Sequence, residues 1–260
     1  MFDLDDDDAP VGRILSRREA LLLMGGAGAT GILALMGCGG SSLTAATDAA
    51  TGSTSSTASS NASCAVRPAL TEGPYFVDER LNRSDIRSDT ITNALKAGTL
   101  FTLTFNVGRI QSNACAALSG VQVDVWHCDA TGVYSDATDP GFNTKGQNWL
   151  RGYQVTDANG TAKFTTIFPG WYSGRATHIH FKIRGTSSAG ASYDFTSQLF
   201  FTEAFLSTAY AQSPYSNRSD SGRLRNASDS IYTQGGSQLL LAPDSANGAY
   251  TGSINLGLTV

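Results

Sequence analysis

The chain has 260 residues, 41% of them hydrophobic and 15% charged, with a net charge of −4. That is enough apolar material for one core of roughly 200 residues once polar segments are set aside. The absence of any Lys/Arg cluster interleaved with aromatics argues against a nucleic-acid partner. Removing residues 1–37 takes away six acids and three bases and leaves the remainder almost neutral.

In chain order, residues 1–37 read as an export signal. Ser16-Arg17-Arg18 precedes the Gly- and Ala-rich apolar stretch Ala20–Met36, which is near the lower limit for spanning a bilayer. A paired arginine before a weakly apolar run resembles a twin-arginine signal. Leu35-Met36-Gly37-Cys38 resembles a lipobox, in which Cys38 is lipidated. These patterns predict a protein at the cell envelope or outside the cell, touching membrane only through a lipid anchor at Cys38. Residues 38–63 are almost wholly Gly, Ser, Thr and Ala, with Asp48 the single charge. Such a segment buries too little apolar surface to offset its ordering entropy, so it reads as a disordered tether with a reach of roughly 25–30 Å.

Residues 64–260 read as an all-β domain. Ser88–Ala97 predicts a short helix. Leu100–Val107 then alternates Phe101, Leu103, Phe105 and Val107 with polar residues, and Val121, Val123 and Val125 repeat the pattern, as half-buried strands do. Further strands are predicted at Gly152–Thr156, Ala162–Phe168, Thr177–Arg184, Tyr193–Phe201 and Tyr250–Leu258, separated by turns such as Asp157-Ala158-Asn159-Gly160. Glu203–Ala211 predicts a second short helix, and Ser213–Gly236 a long loop placed to cover a site. Regular strand spacing points to a β-sandwich with long loops and at most short helices.

The chemistry concentrates in one strand. Side chains alternate across a strand, so His178 and His180 project to one face and Ile179, Phe181 and Ile183 to the other. Two imidazoles on one face can share a metal ion.

Four ordered motifs carry a resemblance. They are Thr71-Glu72-Gly73-Pro74-Tyr75-Phe76, the run from Gly120 through Trp126-His127-Cys128 to Gly132-Val133-Tyr134-Ser135, Leu150-Arg151-Gly152, and Pro169-Gly170-Trp171-Tyr172 continuing to His180. Together they resemble the intradiol ring-cleavage dioxygenases, over roughly Cys64–Phe201, and most nearly the extracellular, protocatechuate-dioxygenase-like branch. The resemblance implies a non-haem Fe(III) held by Tyr134, Tyr172, His178 and His180. Hard phenolate oxygens with imidazoles suit ferric iron better than zinc or type I copper, and a trivalent cation lowers a phenol's pKa enough to supply phenolate. It further implies that the substrates are a catechol and O2, and that the ring opens between its two hydroxylated carbons to a cis,cis-muconate-type diacid. In that scheme Tyr172 leaves the metal and accepts a proton, Arg175 stabilises negative charge on the ring, Gln198 contacts the ring or O2 site, and Tyr75 and Trp126 line the substrate pocket. His127 is expected behind the ligands or facing solvent. The alternatives are a metal-binding sandwich without catalysis and a zinc or copper enzyme using the same histidines. The identity of the catechol and the oligomeric state are left open.

Three cysteines follow Cys38. Cys115 and Cys128 flank one extended strand, which holds them beyond the ~7 Å Cα limit of a disulfide. Cys64 is therefore expected to pair with one of them, with Cys128 favoured for its place beside the motifs.

Overall fold

The computed structural model describes residues 64–111 and 114–260; the expected signal, Cys38 lipidation site and tether lie outside the described residues. Twelve strands are formed among them: β1 Leu100–Gln111, β2 Ala114–Ala117, β3 Gln122–Trp126, β4 Thr138–Asp139, β5 Phe142–Asn143, β6 Arg151–Val155, β7 Thr161–Ile167, β8 His178–Thr186, β9 Ser192–Phe201, β10 Leu240–Leu241, β11 Asp244–Ala246 and β12 Ala249–Leu258. One α-helix, α1, spans Glu203–Tyr210. Two five-stranded sheets result. One runs β10-β9-β8-β3-β6; the other runs β11-β12-β1-β2, with β7 also paired to β1.

The alternation in β1 dictates how the sheets meet. Phe101, Leu103 and Phe105 are fully buried, and Phe105 packs against Phe164 of its own sheet and Phe181 of the facing one. Phe101 likewise reaches Phe201 across the sandwich. Each such side chain contributes about 1.5–3 kcal/mol through burial. His127 pins the sheets by a polar contact: its Nε2 lies 2.7 Å from Thr166 Oγ1 of β7, and its Nδ1 2.8 Å from Cys128 O.

The disulfide joins Cys64 to Cys115, with Cα atoms 5.6 Å apart, and Cys128 is the free, buried thiol. The expectation of a Cys64–Cys128 pair is thereby corrected. The reason is that β1 continues four residues past Val107 and folds back as β2, setting Cys115 opposite Ile110. Cys64 arrives alongside, where Gly257 N donates to Ala65 O. Gly108 makes the room, since a Cβ there would meet both sulfurs within 3 Å. Closing a loop of sequence separation 51 stabilises the fold by about 4 kcal/mol on the chain-entropy model.

The helix expected at Ser88–Ala97 is a turn. Buried Asp89 takes the backbone N–H groups of Ile91 and Thr92 on Oδ1 and that of Asn148 on Oδ2, a local competitor that helix formation loses to. Asn93, at φ 57°, completes the reversal. Helix α1 does form, with Thr202 as its N-cap accepting from Phe205 N. The Ser213–Gly236 loop is built from single helical turns at 215–217, 220–222, 226–228 and 232–234.

Candidate metal centre and catalytic pocket

Strand β8 presents its two faces as the alternation requires. Ile179, Phe181 and Ile183 enter the sandwich core, while His178, His180 and Lys182 occupy the outer face; all six are buried. Residues 70–78 help cover that outer face. Leu70 N donates to Thr196 O, Glu72 pairs with Lys182, and Phe76 packs on Trp126. Gly73 is required at the crossing: its φ is +71°, and a Cβ would stand 3.3 Å from His180 Cε1.

Three donor atoms converge there. His178 Nε2 lies 2.9 Å from His180 Nε2 and 3.1 Å from Tyr134 Oη. His178 Nδ1 faces Ala176 O at 2.6 Å; a carbonyl needs a donor, so Nδ1 carries the proton and Nε2 presents a lone pair. Burial, then the charge of Arg175, pushes His178 down to about 3. Burial and the neighbouring His178 hold His180 well below its ordinary value. Both rings are therefore neutral at physiological pH, the state in which an imidazole can ligate a metal. Trp126 stacks on His180, ring centroids 4.9 Å apart and 9° from parallel. It backs His180 and is not among the residues lining the cavity beside that ring.

Tyr134 follows Gly132, whose positive φ and 2.3 Å approach of a hypothetical Cβ to Trp171 O allow no side chain. The tyrosine is 1% exposed and stacks on Tyr75 at 4.5 Å. Burial raises its hydroxyl well above the ordinary phenol value, so phenolate forms at this position only against a cation. Among the described residues no group of three or more His, Cys, Asp or Glu could hold a metal. A centre here needs phenolate oxygen, a donor set that fits ferric iron and not structural zinc.

Tyr172 stands at the same cavity, but its hydroxyl contacts a different pair. It lies 2.9 Å from Asp139 Oδ2 and 2.7 Å from Tyr75 Oη, and Tyr75 Oη is itself 2.5 Å from Asp139 Oδ2. The hydrogen bond from Tyr75 holds the Asp139 carboxyl below the usual range; burial, with Asp139, raises Tyr75, and burial likewise raises Tyr172. The structure thus gathers Tyr134, His178 and His180 by direct contact and sets Tyr172 beside them.

Arg175 Nε donates to Asp229 Oδ2 at 2.9 Å and its Nη2 to Gln198 Oε1 at 2.7 Å. Gln198 is opposite His180 in the sheet, fully buried, and donates from Nε2 to Thr71 O. A cavity of about 160 Å³ opens between Tyr75, Tyr134, Tyr172, Arg175 and the two histidines, with Ser230 and Ile231 also lining it. Asp139 and Asp229 carried no motif. Both hold turns: Asp139 caps Gly141 N, and Asp229 accepts from Ile231 and Tyr232 N.

The chain is similar to known dioxygenases. A dioxygenase family model matches residues 71–219. An intradiol ring-cleavage dioxygenase from Tetranychus urticae is 31% identical over 75% of this chain and 95% of its own, with a TM-score of 0.64. The dioxygenase domain of a carbohydrate-binding fusion from Streptomyces sp. SirexAA-E is 26% identical, over 75% and 99%, with a TM-score of 0.52. A 3-chlorocatechol 1,2-dioxygenase from Rhodococcus opacus 1CP shares the fold at 22% identity, over 72% and 70%, TM-score 0.50. No curated protein matches. The family model and the two-sheet fold define a β-sandwich of the dioxygenase class. The chain belongs to the intradiol ring-cleavage dioxygenase family.

Proposed function

We propose that the protein opens a catechol ring between its two hydroxylated carbons with O2, yielding a cis,cis-muconate-type diacid, at a non-haem Fe(III) held by Tyr134, Tyr172, His178 and His180. The observation that carries this reading is the convergence of His178 Nε2, His180 Nε2 and Tyr134 Oη beneath a cavity that also presents Arg175. When bound, ferric iron supplies a Lewis acid that favours the catecholate and makes the ring reactive toward O2.

The chain's own groups account for the remaining steps. Tyr172, as phenolate, takes a proton from the entering catechol at Oη. The neutral hydroxyl is then held by Asp139 Oδ2 and Tyr75 Oη, the partners it has in this structure. The ionised Asp139 is a fitting acceptor for that hydroxyl and a poor one for a phenolate, which favours the protonated state after transfer. Tyr134 is stacked, buried and without such partners, so it stays in place. The Arg175 guanidinium stabilises negative charge developing on the ring. Tyr75, Pro74 and Ile231 shield the reacting face from water.

Oxygen uptake by iron-loaded protein on adding catechol, with one diacid formed per O2, tests the proposal; a protein binding iron without uptake would be the inactive sandwich. The paired arginine and Leu35–Cys38 pattern support export with a lipid anchor, tested by loss of palmitate labelling in Cys38→Ala.

A further inference from the structure

Arg175 is the only Arg or Lys among the described residues lining the cavity, and its charge is already matched. Asp229 has no exposed surface, and its carboxylate receives four donors. Arg175 Nε and Ala176 N bind Oδ2 at 2.9 and 2.7 Å, while Ile231 N and Tyr232 N bind Oδ1 at 2.8 and 2.9 Å. Burial alone would raise this carboxyl, but Arg175 and the backbone amides of Tyr232 and Ala176 hold it below the usual range, so it is a fixed anion.

The second tether, Gln198 on Nη2, leaves Nη1 as the guanidinium nitrogen with no acceptor among the described residues. The Asp139 carboxylate, itself an anion, sits against Tyr172 of the cavity lining. The remaining cations of the neighbourhood are committed elsewhere: Lys182 to Glu72 and Arg151 to the carbonyls of Ser135 and Tyr75.

A substrate bearing a ring carboxylate would give up hydration on entering this space and meet no unmatched cation. We infer that Asp229 is the positioning residue that sets substrate charge here: it holds Arg175 at the cavity and offsets its charge, leaving the guanidinium able to polarise the bound ring but not to balance a second, ring-borne carboxylate, so the pocket selects catechols without an anionic ring substituent. The inference rests on the ring-cleavage reading and adds the substrate class to it.

The test is kcat/KM of the full-length, iron-loaded protein for catechol and for 3,4-dihydroxybenzoate. Wild type should favour catechol by about tenfold or more, within the usual reach of pocket discrimination. In Asp229→Asn the value for catechol should fall about tenfold, and the preference should collapse toward unity as the freed Arg175 attracts the substrate carboxylate. A role confined to holding the fold would lower both substrates alike and leave the ratio unchanged. Asp229→Ser keeps an acceptor for the Ile231 and Tyr232 amides and should shift the ratio in the same direction should the asparagine variant not fold. A wild type that prefers the carboxylated substrate, or a ratio unmoved in the folded variant, overturns the inference while ring cleavage stands. No turnover of any catechol by wild type sinks both.

Discussion

Strands β8 and β12 carry the same kind of pattern and meet opposite environments. In β12, Tyr250, Ile254 and Leu256 are buried while Thr251 and Ser253 face solvent. In β8, Ile179, Phe181 and Ile183 are buried, but so are His178, His180 and Lys182 on the other face. Covering a polar face costs desolvation that a merely structural strand has no reason to bear. On the proposed reading, β8 is where stability is traded for chemistry, and residues 70–78 and the 213–236 loop are the cover that makes the trade.

Stability measurements can break that comparison most decisively. Phe181→Ala, on the core face of β8, should cost about 3–5 kcal/mol in urea unfolding, whereas Ser253→Ala, on the solvent face of β12, should stay within about 0.5 kcal/mol. Equal losses would mean that β12 is not open on its outer face.

A titration sharpens the picture at the sandwich seam. His127 is fully buried, and burial lowers it from its ordinary 6.5 to about 4. Between those values the unfolded chain binds a proton that the native one refuses, so stability rises with pH. The contribution is complete above pH 6.5 and is lost as pH falls toward 4, a loss on the order of 2–3 kcal/mol. Because His178 and His180 shift the same way, the readout is the difference between wild type and His127→Gln, both metal-free. The wild type should lose more stability than the variant between pH 7.5 and 4.5; parallel curves would remove His127 from the account.

A smaller effect is expected at the cover of the site. Asp139→Asn should lower kcat about tenfold, equivalent to 1.4 kcal/mol, with little change in KM, because it removes the carboxylate that holds the Tyr172 hydroxyl. Unchanged kcat would show that Tyr172 needs no such partner.

Much of this was legible in the sequence because it is local. The alternation of β1 and β8 follows from a period of two, and Tyr134, Tyr172, Arg175, His178 and Gln198 lie in or near recognisable motifs. What was not legible depends on contacts distant along the chain. The pairing of Cys64 with Cys115 turns on how far β1 extends before β2 folds back onto it. That Trp126 stacks on His180 follows from the β3–β8 register, which the sequence alone does not show. Asp89 lies in a segment that reads as a helix, and Asp139 and Asp229 carry no motif. Only the fold reveals that the first displaces a helix while the other two hold Tyr172 and Arg175.

The central claim, that the buried polar face of β8 and its tyrosines form a ring-cleaving ferric centre, is tested most directly by O2 uptake of the iron-loaded protein with catechol, in wild type and Tyr134→Phe. The account predicts a red-brown wild type that consumes one O2 per diacid formed. It predicts a folded variant whose visible band is changed or lost and whose kcat/KM falls by about a hundredfold or more. A colourless iron-loaded wild type, or a Tyr134→Phe protein with undiminished uptake, would contradict it.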